Sequence, residues 1–79
     1  MRARLTPTAD QRAVLERLQL PDRIVETLQE ASFELDTDAA ETVRDELTAL
    51  LPTVGFDADY ELTAEGRIIE DLIDALFIP

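Results

Sequence analysis

Apolar residues recur every three to four positions in four segments of the chain, which is the spacing of an amphipathic helix. The strongest stripe is the last one, formed by Ile68, Ile69, Leu72, Ile73 and Leu76. The pattern predicts four short helices, which cover about residues 7–19, 21–31, 38–51 and 64–77. Since the segments between them are short, we expect consecutive helices to pack as neighbours.

Capping residues mark where three of these helices are expected to begin. Thr6 followed by Pro7 is typical of a helix start, because the threonine oxygen accepts from a free amide and proline is tolerated in the first turn. Asp38 with Glu41 three residues later predicts a capping box for the third helix. Thr63 is the expected cap of the last helix.

Two residues interrupt the helical pattern. Pro52 is expected to end or kink the third helix, because it lacks an amide hydrogen. Gly66, in the first turn of the last helix, costs up to ~1 kcal/mol relative to alanine. It either allows another backbone to come close or is simply tolerated, and we favour tolerance.

The segments outside the helices are expected to be extended or irregular. Residues 32–35 alternate polar and apolar side chains, which predicts an extended connection with Phe33 and Leu35 in the core. Residues 53–62 are expected to form an irregular acidic loop, held down by Phe56, Tyr60 and Leu62. The predicted fold is therefore all-α, a single domain of four bundled helices over residues 1–79.

The distribution of charge adds a functional signal to this predicted fold, because the negative charge is concentrated in one part of the chain. The net charge is −11, yet residues 1–33 carry five acids and five arginines, whereas residues 34–79 carry thirteen acids and two arginines. A concentrated negative field attracts cationic surfaces and repels nucleic acids and anionic membranes. General acidification, as in salt-adapted proteins, is the alternative explanation, and the neutral first part argues against it.

Composition removes most catalytic chemistry. Cysteine and histidine are both absent, which excludes disulfides, thiolate and imidazole metal ligands, cysteine nucleophiles and Ser-His triads. We therefore expect no enzyme activity and no cofactor. The chain also begins without an apolar leader and has no apolar run long enough to span a membrane, so we expect a cytoplasmic protein.

The acidic loop raises the question of calcium binding, since Asp57, Asp59 and Glu61 alternate as oxygen ligands do in calcium loops. An EF-hand needs glycine at its sixth position and glutamate at its twelfth, where this chain has Leu62 and Ile68. A weak, irregular divalent site within residues 57–65 stays open, but a solvated acidic loop explains the same residues.

Residues 32–76 resemble acyl carrier proteins in size, acidity and helix order. The segment Asp38–Val43 lies where that family carries the Asp-Ser-Leu motif for its prosthetic group. Ala39 takes the place of the serine, so a phosphopantetheine arm has no attachment point here. The resemblance implies a carrier-like or structural accessory subunit of a larger enzyme complex, bound through the apolar end at residues 76–79.

The charge pattern favours a non-catalytic protein-binding module that engages a basic protein partner. Small acidic bacterial immunity proteins resemble this chain in size and charge, so inhibition of a basic toxin or nuclease is the role we expect. Glu70 and Asp74 are like charges near a helix end that disfavours anions, which suits docking of a cation. A homodimer through an exposed apolar stripe is a further possibility. The residues expected to contact the partner are Glu41, Asp45, Asp57, Asp59, Tyr60, Glu61, Glu65, Glu70 and Asp74.

Overall fold

The computed structural model of the protein describes residues 2–77. Along the chain it contains β1 (Arg2–Leu5), α1 (Ala9–Leu15), α2 (Asp22–Leu28), β2 (Phe33–Asp36), α3 (Thr37–Val54) and α4 (Ala64–Ala75). The predicted all-α bundle is therefore wrong. The fold is mixed: the described residues form four helices and a two-stranded antiparallel sheet, and 58% of them are helical.

The sheet joins two segments that are distant in the sequence. β1 pairs antiparallel with β2, so that Arg2 faces Asp36 and Leu5 faces Phe33. Apolar and charged residues alternate along both strands, and the apolar ones are buried. The expectation that Phe33 and Leu35 enter the core is confirmed, but their segment is a paired strand and not a mere connection.

The first two helices are shorter than their patterns predict. Thr8, not Thr6, caps α1: its hydroxyl accepts from the Gln11 amide at 3.2 Å, and the Gln11 side chain accepts from the Thr8 amide at 3.0 Å. Thr6 lies just beyond β1 and its hydroxyl donates instead to Ser32 at 3.1 Å. Because Thr8 is the cap, α1 begins at Ala9 and not at Pro7.

The long helix α3 begins at the sheet and continues through its proline. The Asp36 carboxylate accepts from the Ala39 amide at 2.8 Å, so the last residue of β2 is the cap and the predicted Asp38–Glu41 start is wrong. Pro52 does not end the helix, which runs to Val54 and closes with a 2.7 Å bond from the Gly55 amide to the Leu51 carbonyl.

The core lies where α3 and α4 pack against each other and against the sheet. Its fully buried centre contains Val43 and Leu47 of α3 with Ile69 and Leu72 of α4. Thr63 caps α4 as predicted, accepting from the Gly66 amide at 2.9 Å.

Gly66 lies at a close contact between two backbones. A Cβ at this position would lie 2.7 Å from the Cα of Gly55 and against the Gly55 carbonyl oxygen. The interpretation that Gly66 is merely tolerated is therefore wrong, because its missing side chain lets the start of α4 touch the end of α3.

Candidate protein-binding surface

Residues 55–63 form a hydrogen-bonded turn between α3 and α4. Phe56 pairs with Leu62 in an isolated antiparallel bridge, and the Asp57 amide donates to the Glu61 carbonyl at 3.0 Å. The Thr63 amide donates to the Gly55 carbonyl at 2.8 Å, which ties the turn to the helix ends. The segment that we expected to be irregular is therefore an ordered turn.

Asp57 organises the tip of this turn through its side chain. One carboxylate oxygen accepts from the Asp59 amide at 2.8 Å and from the Glu61 amide at 3.1 Å. The Asp57 carbonyl also accepts from the Tyr60 amide at 3.0 Å. Asp57 was predicted as a partner-binding residue, and these bonds show that it also holds the conformation of its neighbours.

Tyr60 stands out from the turn in an unusual backbone conformation. Its φ is +60°, in the left-handed region, and it alone among the described non-glycine residues has a positive φ. This region disfavours a side chain by roughly 1–2 kcal/mol. Tyr60 is 86% exposed, so neither this residue nor the exposed Phe56 holds the loop down as predicted. The turn instead presents an aromatic side chain to solvent between two exposed carboxylates, Asp59 and Glu61.

The remaining predicted carboxylates lie on the outer faces of α3 and α4. Two residues along a helix correspond to a rotation of about 200°, so Glu41 and Asp45 point away from the buried Val43. Glu70 and Asp74 point away from the buried Leu72 in the same manner. Because the two helices pack through their buried faces, these acidic faces do not converge. In the described part of the chain, no three carboxylates come close enough together to hold a metal ion.

Glu65 is the exception among the predicted acids, because it already has a cationic partner. Its carboxylate forms an ion pair with Arg17, which follows α1, and only about a third of its side chain (34%) is exposed. The nine predicted residues therefore divide into the turn, two helix faces and this internal pair.

Phe77, in the apolar end at residues 76–79 on which the carrier-like alternative depends, lies far from the turn. The Arg44 guanidinium sits 5.5 Å from the centre of its ring, a cation–π contact that places Phe77 beside the middle of α3. Eleven residues of α3 and its cap separate Arg44 from Gly55, or about 16 Å of helix. Phe77 and Tyr60 thus lie at opposite ends of the α3–α4 pair.

A groove between α1 and α2 was missed by the sequence analysis. It has a volume of about 780 Å³, and its lining includes Leu15, Leu18, Val25, Leu28 and Ala31. Leu18, Val25 and Ala31 have the apolar spacing of the two predicted helices, but the first two are only partly buried and Ala31 is exposed. The sequence signal that could have revealed the groove is that these two segments carry more apolar residues than two short helices can bury.

Comparison of the chain with models of known protein families, with curated proteins and with solved structures finds no match. Within residues 2–77, no helix combines the length and apolar character needed to cross a membrane.

Proposed function

We propose that the protein is a non-catalytic, cytoplasmic protein-binding module whose turn, Asp57–Glu61, engages a basic surface of a partner protein. One observation carries this proposal: Tyr60 is 86% exposed in a left-handed conformation on a hydrogen-bonded turn. Tyrosine is enriched among the residues that dominate binding energy. A contact residue held in place before binding loses little conformational entropy when the complex forms.

The charges around Tyr60 supply the preference for a basic partner. Asp59 and Glu61 are exposed and precede and follow Tyr60 in the chain, while Asp57 keeps the turn in shape. The acidic outer faces of α3 and α4 add to the long-range attraction of a cationic protein, but they lie away from the turn and do not direct the partner to it. Glu65 contributes less, since Arg17 neutralises it.

Inhibition is the biological role that this arrangement favours, as in an immunity or antitoxin protein. Carboxylates at the turn would occupy the phosphate-binding positions of a nuclease or a similarly basic enzyme, with Tyr60 filling a pocket beside them. The carrier-like alternative depends on residues 76–79. Of these, Leu76 is fully buried and Phe77 is 63% exposed, while residues 78 and 79 lie outside the described residues. A single exposed ring supports that alternative less well than the turn supports inhibition.

Self-association through an apolar stripe stays a prediction. The α4 stripe is largely used inside the monomer, where Ile69, Leu72 and Leu76 are fully buried. A dimer would therefore have to use partly exposed positions elsewhere.

Site-specific crosslinking in the source cells tests the proposed function. A photoreactive phenylalanine analogue at position 60 should capture a basic protein, while the same analogue at exposed position 49 on α3 serves as the matched control. The captured protein would then be produced and titrated with the chain. Its affinity should fall steeply from low to high salt. Paired changes Asp59→Lys and Glu61→Lys should abolish binding, whereas Glu41→Lys should only weaken it.

Three results would contradict the proposal. The first is a captured partner with an acidic contact surface, the second is affinity independent of salt, and the third is binding unaffected by the paired reversal. Circular dichroism of each variant checks that helical content is retained, so loss of binding is not confused with loss of fold.

A further inference from the structure

The groove between α1 and α2 has the dimensions of a ligand site and is separate from the acidic turn. Its volume of about 780 Å³ falls in the range of small-molecule pockets, roughly 300–1,000 Å³. Its floor contains the buried Leu15 and Leu28, and its sides contain the partly buried Leu18 and Val25. An apolar floor with a few polar groups at the sides is typical of such sites.

One cation lies at the side of the groove in a fixed position. The Arg12 guanidinium donates to the carbonyl of Leu28 at 2.6 Å and to that of Glu30 at 2.7 Å. An arginine has five N–H donors, so these two bonds leave three. No carboxylate of residues 2–77 forms an ion pair with Arg12. The groove therefore contains a positioned guanidinium that forms no direct ion pair with a carboxylate of residues 2–77.

The groove lies entirely in the part of the chain that carries no net charge. All of its lining residues fall between Thr6 and Ala31, within the segment that balances five acids with five arginines. Glu16 also lines the groove, but the thirteen acids of residues 34–79 do not. Among the residues that line the groove, the only charged ones are Arg12 and Glu16, and their charges balance.

The size of the groove favours a narrow hydrocarbon chain over a partner helix as its ligand. α1 and α2 have seven residues each, or about 10 Å of helix. A partner helix is itself about 10–12 Å across, so only two of its turns could contact the groove. A single hydrocarbon chain is much narrower than a helix, so it can contact the apolar lining without needing a longer groove.

Because the Arg12 guanidinium lies beside an apolar floor, we propose that the groove binds a free single-chain carboxylic acid. The hydrocarbon would lie along Leu18 and Val25, and the carboxylate would lie at Arg12. The ligand class is thus an amphipathic acid of medium chain length. The proposal does not depend on the proposed function, since the two surfaces share no residues.

Calorimetric titration with three decyl compounds tests which head-group charge the groove prefers. Decanoate should bind at least ten-fold more tightly than decanol, and decyltrimethylammonium should bind no better than decanol. Arg12→Met should weaken decanoate binding at least ten-fold and leave decanol binding unchanged. Arg12→Lys, which keeps the charge, should restore part of the loss.

Filling the groove with a large side chain tests whether the ligand binds there. Ala31→Trp places a large ring at an exposed lining position and should abolish binding of both decanoate and decanol. Ala49→Trp is the matched control, because Ala49 is equally exposed but lies on α3. It should leave both affinities unchanged.

Several outcomes would overturn the proposal. If decanoate fails to bind up to its solubility limit, or if the cationic compound binds as well as decanoate, the assigned ligand class is wrong. Equal loss of decanol and decanoate in Arg12→Met would mean that Arg12 only holds α2 in place. Equal effects of the two tryptophan variants would place binding elsewhere.

Discussion

Gly66→Ala distinguishes the effect of helix propensity from the effect of packing. Helix propensity predicts that the substitution raises the free energy of unfolding, whereas packing predicts that it lowers it. Helix propensity alone predicts that alanine stabilises the first turn of α4 by up to about 1 kcal/mol. In the structure, the new Cβ would lie 2.7 Å from the Cα of Gly55 and 2.8 Å from a methyl carbon of Leu62. The leucine side chain can rotate away, but the Gly55 backbone is held by the Thr63 amide and by its own bond to Leu51.

The expected loss of stability is the cost of overpacking minus the gain in helix propensity. Overpacking costs typically 1–3 kcal/mol, and a contact with backbone belongs at the upper end of that range. After the propensity gain is subtracted, we expect the free energy of unfolding to fall by about 2 kcal/mol. In a domain of this size each kcal/mol shifts the melting temperature by roughly 4–8 °C.

Urea denaturation followed by circular dichroism measures this change. Thr48→Ala on the exposed face of α3 is the matched control, since it raises helix propensity without a new contact, and it should be neutral or slightly stabilising. An increase in stability for Gly66→Ala similar to that of the control would refute the close approach of α3 and α4 at this point.

Three further changes test separate parts of the structure. Leu72→Ala removes a fully buried side chain from α4 and should cost about 2–5 kcal/mol in the same denaturation assay; a loss under 1 kcal/mol would mean that α4 does not pack in the core. Asp36→Ala removes the cap of α3 and should cost about 1 kcal/mol, so an unchanged unfolding midpoint would argue against that cap. Asp57→Asn, with a neutral and weaker acceptor, should speed amide hydrogen exchange at Asp59 and Glu61 while exchange in the middle of α3 stays constant. Unaltered exchange at both turn amides would show that Asp57 does not organise the turn.

Helical segments were predictable where the apolar stripe is long. The stripe of α4 predicted the helix, and three of its five apolar residues (Ile69, Leu72 and Leu76) are fully buried. Thr63 was identified as its cap, because spacing and capping are local properties. α1 and α2 were predicted too long, since an apolar residue at the correct spacing need not be buried. Ala31 illustrates this: it continues the stripe of α2 but lies exposed beyond the end of that helix.

The turn was only half predictable. Its acids and its aromatic residue were singled out from the sequence, and they do lie together at the surface. The positive φ of Tyr60 and the two bonds accepted by the Asp57 carboxylate had no sequence signature, because they arise from closing the chain between two packed helices. The groove beside Arg12 was missed entirely.

The amino-acid sequence by itself determined the positions of the helical segments, the neutral first part with the acidic second part, and the absence of thiol and imidazole chemistry. Tertiary structure alone decided that four alternating residues at the start of the chain form a strand, since β1 exists only by pairing with β2, about thirty residues away. It also decided the role of Gly66, which depends on the distance to another backbone. Spacing along the chain reports which side of an element is apolar, whereas pairing, close approach and exposure depend on what the rest of the molecule places against that side.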